Sequence, residues 1–249
     1  MAVRLVLLGG FALSHGDREI IIALNGQRLI ALLALQGRPL SRARAAGILW
    51  PEYCTRRSLG NLRTTLWRVN QACDGLILAM NSTIALRDDV QVDVDRLRAF
   101  ARDLSATRTG SKPVDLNAIV PPQLAADLLP DWYEEWVQDE REPVRQLRLH
   151  TLEELAVALC GVGRHSEGIQ AALAAIRLEP LRETAHRALI ETYLLEGNWF
   201  EARRHFEQCK QLFIDELGVE PSDSISRLLE SAPFGQGLAR PQNTVAARR

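Results

Sequence analysis

Cysteine is sparse and scattered: Cys54, Cys73, Cys160 and Cys209 are the only four in 249 residues, and no CxxC motif brings two of them together. That spacing argues against a zinc site and against a disulfide framework, and it fits a reducing cytoplasm. No apolar stretch approaches the roughly 18 residues expected of a membrane span. The N-terminal run "LVLLGGFAL" is led by one cation, Arg4, and interrupted by two glycines, so it reads as a strand and turn rather than a secretory signal. Also missing are a Walker loop, a GxGxxG opening a helix after a strand, an HExxH and a nucleophile elbow. His15, His150, His165, His186 and His205 lie far apart, the last four in helical stretches where they read as surface or interface residues. These absences argue against an enzyme and imply no required cofactor or metal.

The near-neutral net charge of −1 conceals an asymmetry. Through Lys112 there are 16 Lys/Arg against 9 Asp/Glu, a surplus of +7, and the remainder carries −8. A basic half suited to polyanions is therefore joined to an acidic half that is not. With 47% hydrophobic residues, two domains of about 100 residues or a little more are expected.

Along the basic half, "VRLVLLGGFAL" and "DREIIIAL" read as short β segments separated by the turn "SHGD". Three helices follow. The first spans residues 26–37, with apolar residues on a helical period and glycine at its end. The second spans 41–50, with Ser41 as amino-terminal cap and Pro51 ending it by disfavouring the helical conformation in Trp50. The third spans about 55–73. "GLILAM" and "TIALR", joined by Asn81 and Ser82, then read as a tight hairpin. "VDVDRLRAFARDL" opens another helix with Asp93 or Asp95 as its cap, and "SATRTGSKPVD" reads as a loop or linker.

From about residue 127 to 229 the pattern is almost wholly helical and repeats internally. Gly163 and Gly197 are 34 residues apart, as are Gly168 and Ala202, Ala172 and Phe206, and Leu159 and Tyr193. A 34-residue period with a small residue five positions after a turn glycine is the signature of tetratricopeptide repeats, each a pair of antiparallel helices. Pro180 closes the first unit; at the matching place in the second stands Ile214, so the last helix should run on to about Leu217. The tail, residues 233–249, has little periodicity and reads as disordered. The expected fold is mainly α: an α+β winged helix-turn-helix over residues 1–95, then an all-α tetratricopeptide-like repeat domain over 96–232.

The third helix carries the chemistry. "SLGNLRTTLWRVNQA" sets Leu59, Leu62, Leu66, Val69 and Ala72 on one side and Asn61, Arg63, Thr64, Trp67, Arg68 and Gln71 on the others. Sheet, three helices and hairpin in that order is the plan of a winged helix, whose third helix enters the major groove while the hairpin touches phosphates or the minor groove. Base reading needs planar forks, amides and short hydroxyls. Arginines here can pair with phosphates or guanine, Asn61 with adenine, and Thr64 or Thr65 with a thymine methyl or a phosphate. The candidate DNA contacts are Arg56, Arg57, Asn61, Arg63, Thr64, Thr65, Trp67 and Arg68, with Asn81 and Ser82 on the hairpin. Trp67 has two readings, the DNA backbone or packing against the wing or N-terminal sheet.

The segments "LGGFAL", "GQRLIALLAL", "LSRARAAGILWPE", "SLGNLRTTLWRV", "DLLPDWYEEWVQDERE", "RLHTLEELA" and "DELGVEPSDSISRLLE" resemble the Streptomyces antibiotic regulatory protein family of transcriptional activators. The resemblance covers roughly residues 3–232 with the motifs in the family's order. It implies an OmpR-type winged helix joined to a bacterial transcriptional activation domain. It also implies an activator of secondary-metabolite or related pathways that binds direct repeats in double-stranded promoter DNA and recruits RNA polymerase holoenzyme. By this analogy Arg57, Asn61, Arg63, Thr64 and Arg68 are candidate contacts and the wing tip is Asn81 and Ser82.

In the acidic half, Trp132, Tyr133 and Trp136 interleave with acids in "DWYEEWVQDERE" and read first as packing residues, second as an interdomain brace or partner surface. A competing reading of the whole is a tetratricopeptide scaffold that does not bind DNA; the arginine-bearing third helix is the feature a scaffold does not need. Self-association on adjacent direct repeats is an option that the helical repeats leave open, and no membrane partner is expected.

Overall fold

The structure, a computed structural model, describes residues 2–108, 115–117 and 124–230. The expected disordered tail, 233–249, and most of the expected linker lie outside the described residues. Contacts divide the chain into two compact units, residues 1–148 and 149–249.

Unit 1 opens with a four-stranded sheet. Strand β1 (Val3–Val6) pairs antiparallel with β2 (Ala12–His15), which pairs with β3 (Arg18–Glu19). The first apolar run is thus two strands rather than one segment, because Gly9 and Gly10, at φ 85° and 144°, turn the chain where a side chain would be strained. Only Arg18 and Glu19 of the second expected segment join the sheet; Ile22 instead drops into the core. Strand β7 (Gln91–Val92) runs parallel to β1, and the first residue of helix α4 (Asp93–Arg108) locks the pair. Asp93 accepts hydrogen bonds from the amides of Leu7 and Leu8, both at 2.9 Å, and of Val94 at 2.8 Å. Burial pushes its carboxyl pKa up, and the three amides pull it partly back.

Helix α1 (Leu24–Gln36) is buried at every residue from 29 to 35, so it is apolar around its whole circumference rather than on one stripe. It ends at Gly37, left-handed at φ 58°, whose N–H donates to the Leu33 carbonyl. One side of α1 packs with Val3, Leu5, Leu7 and Leu13 of the sheet, and the other with α2 (Arg42–Leu49), α3 (Thr55–Ala72) and the wing residue Ile84. Gly26 permits the close approach of α3: a Cβ there would lie 2.9 Å from Cγ2 of Val69 and 2.6 Å from Cγ2 of Ile22. Ser41 caps α2 as expected, its hydroxyl accepting from the Arg44 amide at 3.2 Å.

Beyond α4, residues 124–148 complete the same unit. Leu128 forms a β-bridge with Leu8, the Leu129 amide donates to Leu7 at 2.9 Å, and the Gly9 amide donates to Asp127 at 2.7 Å. Leu128, Leu129, Val137 and Val144 enter the sheet-side core, with Trp132 and Trp136 against it. Trp132 stacks on Phe11 with ring centroids 6.2 Å apart, and Arg28 pairs with Glu134 at 2.8 Å. Of the two tryptophans the packing reading is therefore the one the structure supports. Helix α5 (Glu135–Gly161) starts here and ends in unit 2. From it Arg141 donates to the carbonyls of Leu128 at 2.9 Å, Pro130 at 3.1 Å, Trp132 at 2.7 Å, and Leu129, gathering a loop in which Leu129 has φ 42°.

In unit 2 the end of α5 is followed by α6 (His165–Leu178), α7 (Glu183–Glu196), α8 (Trp199–Leu217) and α9 (Asp223–Glu230). The two repeat glycines take the same left-handed conformation, φ 83° at Gly163 and 82° at Gly197. Gly168 is small of necessity, since a Cβ would sit 2.5 Å from the Cys160 sulfur and 2.7 Å from the Ala156 carbonyl; its counterpart Ala202 is buried. The last repeat helix ends at Leu217, where the sequence places it.

One histidine departs from the surface reading. His186 is 3% exposed; its Nε2 donates to the Pro180 carbonyl at 2.7 Å, which leaves Nδ1 to accept from Nε2 of His205 at 3.0 Å. Burial holds both imidazoles below the ordinary value of about 6.5, His205 down to about 4. His205 is therefore held neutral in the fold, and its contribution is complete above pH 6.5 and lost as pH falls through about 4. Thermal stability is expected to fall across that window, and less steeply in His205→Gln. Equal slopes in melts recorded from pH 7 to pH 4 would rule the pair out as the cause.

Candidate nucleic-acid interface

Helices α2 and α3 form the helix-turn-helix, and a buried serine sets the turn between them. The Ser58 hydroxyl lies 3.1 Å from the carbonyl of Trp50 and 3.3 Å from those of Tyr53 and Cys54, so the first turn of α3 is fastened to the end of α2. Arg28 reaches from α1 to donate to the Leu49 carbonyl at 2.9 Å, satisfying the open carboxyl end of α2. The hairpin β5 (Ile77–Ala79) and β6 (Thr83–Leu86) closes through the Met80 amide, which donates to Thr83 at 3.0 Å. Strand β4 (Leu40–Ser41) adds to its other side, and the Arg42 amide donates to Ser82 at 2.9 Å. The wing is thus tied to the start of α2 before any ligand arrives.

The buried ridge of α3 is Ser58, Leu62, Thr65 and Val69. Leu59 and Leu66 are half-buried beside it, and Ala72, expected on the apolar side, is exposed. Thr65, at 5% exposure, is corrected from candidate contact to core residue: it stands between Leu62 and Val69 on the helical period, and its hydroxyl and methyl face inward. Arg56, Arg57, Arg63, Thr64, Trp67 and Arg68 are exposed, Asn61 is half-buried on the flank, and Asn81 and Ser82 are exposed at the wing tip. Trp67 is 63% exposed and is a member of neither of the two cores that flank α1. The Thr64 hydroxyl donates to the Gly60 carbonyl at 3.2 Å, and the Arg57 guanidinium lies over Tyr53, 4.3 Å from its ring centre.

Helix α3 carries four arginines and no carboxylate. Among the described residues none of the four is in an ion pair, so the outer face is an open positive surface with donors in planar forks. Ser58, Arg28 and β4 went unread in the sequence. A serine eight residues after a tryptophan has no local signal, and a two-residue strand has no period.

The fold is therefore a winged helix-turn-helix with its wing tied down, followed by tetratricopeptide-like helices. Residues 123–231 match the family model of the bacterial transcriptional activator domain. The regulatory protein AfsR of Streptomyces coelicolor is 27% identical over 214 residues, covering 80% of this chain and 21% of that protein. The regulatory protein AfsR of Streptomyces griseus is 22% identical, covering 98% of this chain and 26% of that one. The chain thus spans about a fifth to a quarter of the length of these curated relatives. In fold it is similar to Mycobacterium tuberculosis EmbR, solved in complex with a low affinity phosphopeptide, with a TM-score of 0.67, 21% identity, and coverage of 92% of this chain and 64% of that one. In sequence the chain is thus similar to regulatory proteins of Streptomyces and, over residues 123–231, to the bacterial transcriptional activator domain. Among the described residues no helix is long and apolar enough to cross a membrane.

Proposed function

We propose that this regulator binds double-stranded promoter DNA sequence-specifically, with α3 in the major groove and the wing tip, Asn81 and Ser82, on the adjoining backbone or minor groove. The observation that carries the proposal is the unpaired four-arginine face of α3 beside a wing already tied to α2. On the helical period Arg56, Arg63, Thr64 and Trp67 look outward to base edges. Arg57 and Arg68, on the flank, are placed for phosphates, and Asn61 sits at the margin. Residues 1–95 carry the DNA-contacting elements and 96–232 the activator part, with residues 124–148 completing the core beneath the first. Copies on adjacent direct repeats recruit RNA polymerase holoenzyme in the cytoplasm, and no step is catalytic.

The test is the double variant Arg63→Ala, Arg68→Ala. Two charge-assisted contacts at about 1–3 kcal/mol each predict a loss of operator affinity of roughly 30-fold or more, with a shallower salt dependence. The thermal melt should stay within about 0.5 kcal/mol of the parent, because both side chains are exposed. Unchanged affinity in a titration at two salt concentrations would remove α3 from the interface and favour the scaffold reading.

A further inference from the structure

We propose that Trp67 is a specificity-determining residue that reads the methyl group of a thymine in the major groove. The proposal rests on the DNA-binding reading of α3 and names what that face selects. At 100° per residue, Trp67 and Gly60 lie opposite the buried ridge of Ser58, Leu62, Thr65 and Val69, on the line of the helix farthest from the core. Thr64 and Gln71 stand beside them, and Arg63 adjoins Trp67 one turn back.

On that line, between Arg56 at one end and Gln71 at the other, Gly60 and Trp67 present no charge. Among the described residues no ring stack or cation–π contact engages the Trp67 indole, although it is 63% exposed. The Thr64 hydroxyl donates its proton to the Gly60 carbonyl at 3.2 Å, so toward a base edge it offers an acceptor only. Gly60 itself has no packing reason to be glycine, since a Cβ there would meet nothing within 4 Å, and mid-helix glycine weakens a helix. Its absent side chain lowers the profile of the helix two turns from Trp67, which suits a backbone that approaches a surface closely.

The flanking arginines make that surface a polyanion, and the wing beside them fits a duplex. Within the major groove the thymine methyl is the one apolar feature the base pairs present. An indole offers a single N–H donor and no acceptor, so it cannot make the paired hydrogen bonds that identify guanine or adenine. Its broad apolar face can cover a methyl group and shed water from it. The ligand class is therefore duplex DNA with thymine at the position under Trp67, once in each bound repeat.

The experiment uses the full chain and an operator duplex found by selection and footprinting. Each thymine in turn is replaced by deoxyuridine, which removes the methyl group and nothing else. One position per repeat is expected to lose about three- to five-fold in affinity, the worth of one buried methyl group. Trp67→Ala should bind the thymine and deoxyuridine duplexes equally while retaining the parent's helical content and melt. Specific binding that is indifferent to every deoxyuridine, or a Trp67→Ala protein that still discriminates, overturns the assignment of Trp67 and leaves the α3 reading standing. Failure of the parent chain to select any duplex overturns both.

Discussion

A fragment of residues 1–108 is expected to be recovered without a cooperative melt, whereas 1–148 should fold, although the shorter piece contains the sheet, the three helices and the wing. The reason lies in residues 124–148. Leu128, Leu129, Val137 and Val144 are core members on the sheet side, with Trp132 and Trp136 packed against them. Burial of four aliphatic side chains at about 1.5–3 kcal/mol each amounts to roughly 6–12 kcal/mol, the size of a small domain's whole stability of about 5–15 kcal/mol. Truncation would also free the Gly9 amide and the Leu7 carbonyl from their partners and expose Phe11. Circular dichroism melts and amide dispersion in NMR spectra of the two fragments would decide the matter. A sharp melt of 1–108 near that of the full chain would show that the winged helix closes without the later segment.

The second large effect is expected at Arg148, a charged residue in helix α5 that is 1% exposed. Its Nε donates to the Leu124 carbonyl at 2.6 Å and its Nη1 pairs with Asp127 at 2.8 Å, while Nη2 is buried without a partner. Arg148→Ala removes both bonds and opens a cavity, a combination expected to cost about 3–5 kcal/mol. Asp127 is 63% exposed, so its stranded carboxylate is rehydrated and adds little. Arg148→Met keeps most of the aliphatic volume and relieves the unpartnered nitrogen, and should lose no more than about half as much. Urea titrations of the two variants separate the contributions. Equal losses would assign the stability to the charge alone.

The order of elements in the basic half could be read locally because each carries a short-range cause. Ser41 caps α2, Pro51 ends it, Gly37 ends α1, and Asn81-Ser82 turns the hairpin. The repeat was equally readable, because Gly163 and Gly197 supply the same left-handed turn and Gly168 and Ala202 the same close approach. What escaped depends on partners distant in the chain. Strands β4 and β7 are two residues long and exist only because β6 and β1 lie beside them. Thr65 was misplaced because its type suits a base contact while its angular position, fixed by Leu62 and Val69, is inward. His186 and Arg148 have polar identities that local pattern assigns to the surface, and only the carbonyls of Pro180 and Leu124 make their burial tolerable. The arginine-rich face of α3 was legible from composition and period together, but the outward line through Gly60 and Trp67 emerges only once the true buried ridge is known.

The guanidinium of Arg141 holds its loop as a bound cation holds a coordination loop, with the carbonyls of residues 128, 129, 130 and 132 converging on one charge. Here the charge is covalently part of α5. Opening the loop strands the donors of a helical residue, and unwinding that turn of helix strands the loop's carbonyls. Neither can fray alone at low cost, so the loop and the first half of α5 form a single opening unit whose amides exchange with solvent together, in place of the independent local fluctuations that a loop of this length would otherwise show.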